Sequence, residues 1–389
     1  MKTQLLLKQA RVSLIPHGWQ ISQVGKSCSI RNDLRKPISL EERSSIQGDY
    51  PYYGPTGILD YIDQYLLDGE FALIGEDGDH FLKPKEKPQT ILAKGKFNVN
   101  NHAHVIASTN VCSAEWFATF YKHRNITDFL SRQGANRYKL NKATLEKLPI
   151  LLPPLPEQKA IAALLSTWDE AIEKTERLIQ AKEKRFKWLL RELISEQPKT
   201  QKNAKWKKVK LGDLFGKEVN VEKGKALTKE SNTEGDVPVV AGGQTYAYFT
   251  NHSTHEIPTV TVSASGAYAG FVWYHDYPIW ASDCNVLRAT KGITKFLYFT
   301  LKEMQHRVYA LQSGGAQPHV YSKDMKNLQI YWPQVEEQKE IAKILSNVQH
   351  EINLLKQLAE QYKTQKRGLM QKMLTGQWRA KPDIVMGDA

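Results

Sequence analysis

Two stretches of this chain carry apolar residues at alternating steps of four and three. In the first, Ile161, Leu165, Trp168, Ile172, Thr175, Ile179, Lys182, Phe186, Leu189 and Leu193 form the seam of a heptad pattern. In the second, Ile341, Leu345, Val348, Ile352, Leu355, Ala359, Tyr362, Lys366, Leu369 and Met373 do the same. The seams match position by position, because Glu157-Gln158-Lys159-Ala160-Ile161-Ala162-Ala163-Leu164-Leu165-Ser166 returns without a gap as Glu337-Gln338-Lys339-Glu340-Ile341-Ala342-Lys343-Ile344-Leu345-Ser346. One such stripe predicts a core-facing helix. Two in one register, each about four heptads long, predict helices that pack on each other, and roughly 33 residues at 1.5 Å each make a rod of about 50 Å. Lys182 and Lys366 each put a cation into the stripe. Pro153, Pro154 and Pro156 precede the first helix and Pro333 the second, where a missing amide costs nothing. Pro198 is predicted to stop the first, and Gly376 to cap the second in a left-handed conformation.

The rest alternates short apolar runs with turn residues, the pattern of strands. Tyr50-Pro51-Tyr52-Tyr53-Gly54, Phe71 to Gly78 and Asn100 to Ile106 are predicted strands, and Ser113 to Arg124 a helix. The same order returns between the long helices. Trp206 answers Trp19, Val237 to Gly243 answers Tyr50 to Pro55, Thr261 to Gly266 stands where Leu73 to Gly78 stood, and Asp283 to Leu287 where His102 to Ile106 stood. Gly315-Ala316-Gln317 echoes Gly134-Ala135-Asn136. The chain is therefore a tandem duplication whose helices kept their sequence while the intervening domains diverged. That contrast predicts a common task for the helices and different targets for the domains. The boundaries are residues 1–155 for the first domain, 156–198 for its helix, 199–335 for the second domain, 336–378 for its helix and 379–389 for a tail.

With 389 residues and 41% apolar content there is material for two cores. Lys and Arg number 54 against 41 acidic residues, a net charge of +13 that favours a polyanionic partner such as nucleic acid. Cys28, Cys112 and Cys284 are isolated, which indicates neither a disulfide framework nor a zinc site. Met1 to Trp19 lacks the apolar core of a signal peptide, and no apolar run approaches 18 residues, so a cytoplasmic protein is expected.

Catalytic chemistry is hard to find. The only Pro-Pro pair, Pro153-Pro154, follows Leu152 and does not complete the adenine-methyltransferase tetrapeptide, and neither a Gly-x-Gly-x-x-Gly nor a Gly-x-x-x-x-Gly-Lys-Ser/Thr run occurs. Glu157-x-Lys159 and Glu337-x-Lys339 spell half of a nuclease signature but open helices, which makes them structural. His102 and His104 share one face of a predicted strand. With no carboxylate or cysteine at ligand spacing they read as hydrogen-bonded surface or interface imidazoles, and His252 and His255 likewise.

The Leu152-Pro153-Pro154-Leu155-Pro156-Glu157-Gln158-Lys159-Ala160-Ile161-Ala162 run, repeated with Glu336 in place of Pro156, resembles the conserved segment of the specificity subunits of type I restriction-modification systems. The resemblance spans essentially the whole chain. It implies an α+β protein: two mixed α/β target recognition domains separated by two long helices packed as an antiparallel coiled coil, with a pseudo-twofold internal repeat. It further implies a non-catalytic subunit in which each domain reads one half of a bipartite site on double-stranded DNA and the helices set the spacer. Two modification (methyltransferase) subunits would dock on it, with restriction (motor-nuclease) subunits joining through them. No cofactor or metal is implied on this chain; S-adenosylmethionine, ATP and magnesium would sit on the partners. A rod of about 50 Å corresponds to roughly one and a half turns of B-DNA. The alternative is a basic coiled-coil scaffold that reads no sequence.

DNA contacts would come from the variable domains. Phosphate contacts want Lys and Arg, and base contacts want polar side chains on a loop that enters a groove. In the first domain Arg31, Arg35, Lys36, Tyr52, Tyr53, Gly54, Thr56, Arg132, Gln133, Asn136, Arg137 and Lys139 are the candidates, with packing into the core the alternative for Tyr52 and Tyr53. In the second they are Lys223, Lys225, Gln244, Tyr246, Ser263, Ser265, Gln317 and His319. The basic run Lys182, Lys184, Arg185, Lys187 and Arg191 is a solvated helix face by default.

Overall fold

The computed structural model describes residues 2–10, 12–84, 86–133, 137–194, 206–228, 232–256 and 258–380. Asn136, Pro198 and the tail beyond residue 380 lie outside them. The chain divides into two compact units, Met1–Lys174 with Ala359–Ala389, and Thr175–Leu358. Two 40-residue helices, Leu155–Ile194 and Val335–Leu374, each contribute to both. They start at matching points of the repeat. Pro156 therefore lies inside the first turn, not ahead of it, and the exchange for Glu336 leaves the start unchanged: Gln158 N–H donates to the Pro154 carbonyl and Gln338 N–H to that of Gln334, both at 3.0 Å.

In the first unit a six-stranded sheet has the order Ser29–Ile30, Ala103–Ala107, Leu67–Gly75, Thr90–Val99, Gln47–Tyr53, Ile58–Ile62. All neighbours are antiparallel except Gln47–Tyr53, which runs parallel to Thr90–Val99. The second unit repeats this order in two pieces. Val219–Lys223, Cys284–Ala289, Thr259–Ser263 and Val272–His275 form one sheet, and Phe249–Thr250, Val237–Val240 and Trp280–Ala281 another. The register repeats residue by residue: Tyr52 pairs in parallel with Asn98 and Val239 with Trp280, while Ala72 faces Ile106 and Val260 faces Leu287. What differs is continuity. Thr90–Val99 serves both neighbours, whereas its counterpart is interrupted at Asp276-Tyr277-Pro278, where proline cannot donate to a ladder.

Each core takes in the start of one long helix and the end of the other. In the first unit Trp116, Phe117, Phe120, Tyr121 and Leu151 pack with Ile161 and Leu165 and with Met373 and Leu374. In the second, Phe296, Phe299 and Trp332 pack with Ile341 and Leu345 and with Leu190 and Ile194. Every seam residue named above is buried or half-buried, whereas Leu178, Trp188 and Leu354, off the seam, are exposed. Helix–helix contact and core-facing contact thus share one stripe. Trp168 meets Tyr362 edge-on with ring centroids 5.7 Å apart, and the segments run antiparallel within each unit. Both cations of the stripe meet a carboxylate of the other helix: Lys182 meets Glu351 at 2.7 Å, and Lys366 meets Asp169.

The shared Glu-Gln pair fastens each helix to its own unit. The Trp19 indole N–H donates to Glu157 at 3.0 Å and that of Trp206 to Glu337 at 3.2 Å. Gln158 Oε1 accepts from Ser113 N–H and Gln338 Oε1 from Ile293 N–H, both at 3.0 Å. Ser113 and Ile293 cap the helices Ala114–Tyr121 and Thr294–Glu303, so one amide side chain joins two helix N-termini. Arg379 forks onto Glu157 at 2.6 and 2.7 Å, and Gly376, at φ 70°, is the left-handed cap that turns the chain toward it.

One predicted strand is shorter than its sequence pattern. Asn100 to His102 form a turn, closed by Asn100 Oδ1 accepting from His102 N–H at 2.8 Å, and the strand begins at Ala103. His102 and His104 therefore do not share a face. His102 is exposed beside Asp77, and His104 is buried.

Candidate nucleic-acid interface

In the first unit four loops distant in sequence meet at one end of the sheet. One carries Arg31, Arg35 and Lys36, a second Glu76 and Asp77, a third Asn101 and His102, and the fourth ends in Lys139. Arg35 Nη1 reaches Glu76 Oε2 and the Asn101 carbonyl, each at 2.9 Å, and Lys139 Nζ lies 3.4 Å from Glu76 Oε1. Burial works against the Glu76 carboxylate, but Arg35 and Lys139 outweigh it and hold it below the usual carboxylate range. Arg31 forks onto Asp33, with Nη2 2.8 Å from Oδ2. These carboxylates fix the orientation of the cations while leaving donors over for a polyanion.

The corresponding loops of the second unit meet in the same way. Gly224 N–H donates to the Cys284 carbonyl at 2.8 Å, which sets the backbone between the exposed Lys223 and Lys225. Lys36 N–H donates to Val99 and Lys225 N–H to Ala281, both at 2.8 Å, so these two lysines hold equivalent places. Ser265 donates to Asp283 and bridges to His319, whose ring stacks on Tyr321 with centroids 5.9 Å apart.

The remaining candidates divide. Tyr52 is only 1% exposed; its hydroxyl accepts from Ile38 N–H and donates to the Lys36 carbonyl, both at 2.9 Å, so it builds the loop from inside. Tyr53 packs edge-on against Phe97, and a side chain at Gly54 would collide with Leu59. Thr56 is exposed. Buried Ser263 donates to the Gly242 carbonyl at 2.9 Å. Tyr246 stacks on Trp273, with centroids 5.0 Å apart and planes 16° from parallel. Gln244 and Gln317 are exposed, as is Arg132. Gln133 and Arg137 pair through their backbones across a short hairpin. A recess of about 330 Å³ lined by Ser39, Arg43, Tyr52, Asn100, Asn101 and His102 adjoins the first set of loops. Apolar Pro37 and Ile38 share its lining with these hydrogen-bonding groups. Among the described residues no group of three or more His, Cys, Asp or Glu is arranged to hold a metal ion, and no helix is long and apolar enough to cross a membrane.

Sequence reasoning did not single out Glu76, Asp283 and Asn285, which hold these loops in place, and it expected His104 at a surface or interface where the structure buries it. Their signal lay in the repeat, which sets the polar His104 and Asn285 at one position of an otherwise apolar strand.

A family model described as the type I restriction modification DNA specificity domain matches residues 16–183 and again 203–363. A putative type I restriction enzyme specificity subunit of Haemophilus influenzae is 28% identical over 342 residues, 82% of this chain and 84% of that protein. A crystal structure of the S subunit of a type I restriction-modification system from M. genitalium shares the fold, with a TM-score of 0.71 over 93% of this chain and 96% of that one at 17% identity. A chain from a structure on complex assembly and conformational transition of the type I restriction-modification system superposes with a TM-score of 0.51, covering 94% of this chain and 100% of that one at 16% identity. Matched twice, once in each half of its internal repeat, this chain belongs to the type I restriction-modification DNA specificity family.

Proposed function

We propose that each unit reads one half of a bipartite site on double-stranded DNA, and that the paired helices set the number of unread base pairs between the halves. Family membership makes the chain a specificity component with no catalysis of its own. The observation that carries the proposal is the four-loop corner: the same loops meet in both units on the same backbone hydrogen bonds, yet carry different side chains. A common frame with divergent polar tips suits two readers of different sequences. The net charge of +13 supplies the sequence-independent attraction to phosphates. Two modification subunits dock on the repeated helix segments, and restriction subunits join through them. S-adenosylmethionine, ATP and magnesium belong to those partners, and the assembly works in the cytoplasm.

Methylation mapping of DNA from cells that express the chain with its cognate modification subunit, against that subunit alone, tests this. A bipartite motif with a fixed gap, present only with the chain, is the expected result. A stable complex that methylates without any motif would leave a basic scaffold as the function. In a DNA titration that scaffold would show a steep salt dependence with no preference among sequences.

A further inference from the structure

The short strand that ends in Lys139, and the counterpart segment that ends in His319, pair through their backbones with the Asp77 and Ser265 segments, and one buried side-chain bond ties each to the sheet. In the first unit His104 Nε2 donates to the Leu140 carbonyl at 2.7 Å. Its Nδ1 faces Asn32 Nδ2 at 2.9 Å and can only accept there. The ring is therefore neutral with its proton on Nε2, in keeping with burial that pulls its pKa down. In the second unit Asn285 Nδ2 donates to the Val320 carbonyl at 2.9 Å. His104 pairs with Ile74 and Asn285 with Val262 in the same register of the same strand pair, and the two side chains are 1% and 5% exposed. The other half of each mount is also shared, since Leu140 N–H donates to the Glu76 carbonyl at 2.7 Å and Val320 N–H to that of Ala264 at 2.9 Å.

So the duplication kept the bond and changed the residue that makes it. It also changed what the mounted segment presents, Tyr138-Lys139 in one unit and Pro318-His319 in the other. A buried polar side chain in an apolar strand costs free energy unless it is paired, and simple packing would be served by an apolar residue. Retention of the bond through a change of residue marks the position of the carbonyl as the quantity that matters. We propose that Lys139 and His319 are the base-reading side chains of the two units, and that His104 and Asn285 are positioning residues that fix their height above the sheet. Lys139 brings three donors and no acceptor, the chemistry for a guanine edge; the His319 ring can both donate and accept. This rests on the half-site function proposed above.

The test uses the full chain in complex with its modification subunit and measures, for each half-site, how strongly binding discriminates against single base changes. His104→Ala should cut discrimination at one half at least tenfold and leave the other half within twofold, and Asn285→Ala should do the reverse. His104→Asn, which installs the second unit's own solution, should retain discrimination within about threefold of wild type; a merely space-filling ring would not be rescued by the smaller amide. Lys139→Ala should reproduce the pattern of His104→Ala while leaving the buried His104–Leu140 bond intact and Glu76 its Arg35 partner, which keeps the test valid if the Ala variant fails to fold. A wild-type bipartite motif combined with unchanged discrimination in folded variants, or equal loss at both halves, overturns this inference and leaves the half-site function standing. Absence of any motif from the wild-type complex overturns the half-site function and this inference with it.

Discussion

Gln158 spends all its polar capacity on backbone. Its Oε1 accepts from Ser113 N–H, and its Nε2 donates to the Val111 and Pro153 carbonyls at 2.7 and 2.8 Å. Gln158→Ala strands those groups in a buried place and should cost the first unit about 2 kcal/mol, read by chemical denaturation; an effect under a few tenths would show that solvent repairs the gap. Two buried histidines make a separate statement at this scale. Burial lowers the pKa of His80 and of His275 to about 4, while unfolded histidine titrates near 6.5. Between those values the unfolded chain binds more protons than the folded one, so stability is full above about pH 6.5 and falls progressively toward about pH 4. Below that the folded rings protonate too and this loss levels off. His275→Gln, which can keep a bond to Thr261, should flatten the slope in urea unfolding across that window; an unchanged slope would place the titration elsewhere.

At the scale of elements, the starts of the two helices were legible to within a residue, because a stripe repeated over about four heptads and then copied whole leaves little freedom, while the second helix ends at Leu374, four residues before its expected boundary. The ends of the stripe serve the domain cores as well as the partner helix, which periodicity cannot distinguish since both uses want the same face. The cation partners were not legible either. Lys366 is 7% exposed and meets Asp169, which also meets Lys122 at 2.9 Å. Burial raises the Asp169 carboxyl, but the two cations outweigh it and hold it below its ordinary value, whereas burial pulls the Lys366 ammonium down. Asp169→Ala leaves Lys366 without its counterion and should destabilise by about 2 kcal/mol, less than for a fully buried pair because Asp169 is partly solvated. Lys366→Met should be neutral or stabilising by about 1 kcal/mol in thermal or chemical denaturation, since Asp169 keeps Lys122 and the stripe gains an apolar residue. Equal losses in the two variants would contradict this order. The candidate DNA residues were only half legible for a related reason. Sequence places Tyr52 and Ser263 near the ends of predicted strands and allows Tyr52 a place in the core, but nothing local says that their hydroxyls turn inward to the Lys36 and Gly242 carbonyls.

At the scale of the molecule, the proposed function separates what is read from how far apart it is read. The loop corners belong to the units, and under that proposal the distance belongs to the helices, each of which contributes to both units, with the division between Lys174 and Thr175 and between Leu358 and Ala359. Seven residues inserted at both places add one heptad to each seam and about 10 Å of length, and keep every pre-existing pair in phase. At 3.4 Å per base pair that is about three base pairs. Methylation mapping should then return the same two half-sites with a gap about three base pairs longer. Insertion into the first helix alone shifts its seam along an unchanged partner, so that the Lys182–Glu351 and Lys366–Asp169 pairs can no longer both form; that variant should lose the bipartite motif or the stable fold. A doubly extended chain that kept the original gap would mean that partner subunits, and not these helices, set the spacing. One that kept the new gap but lost a half-site would mean that the junction also helps to orient a unit.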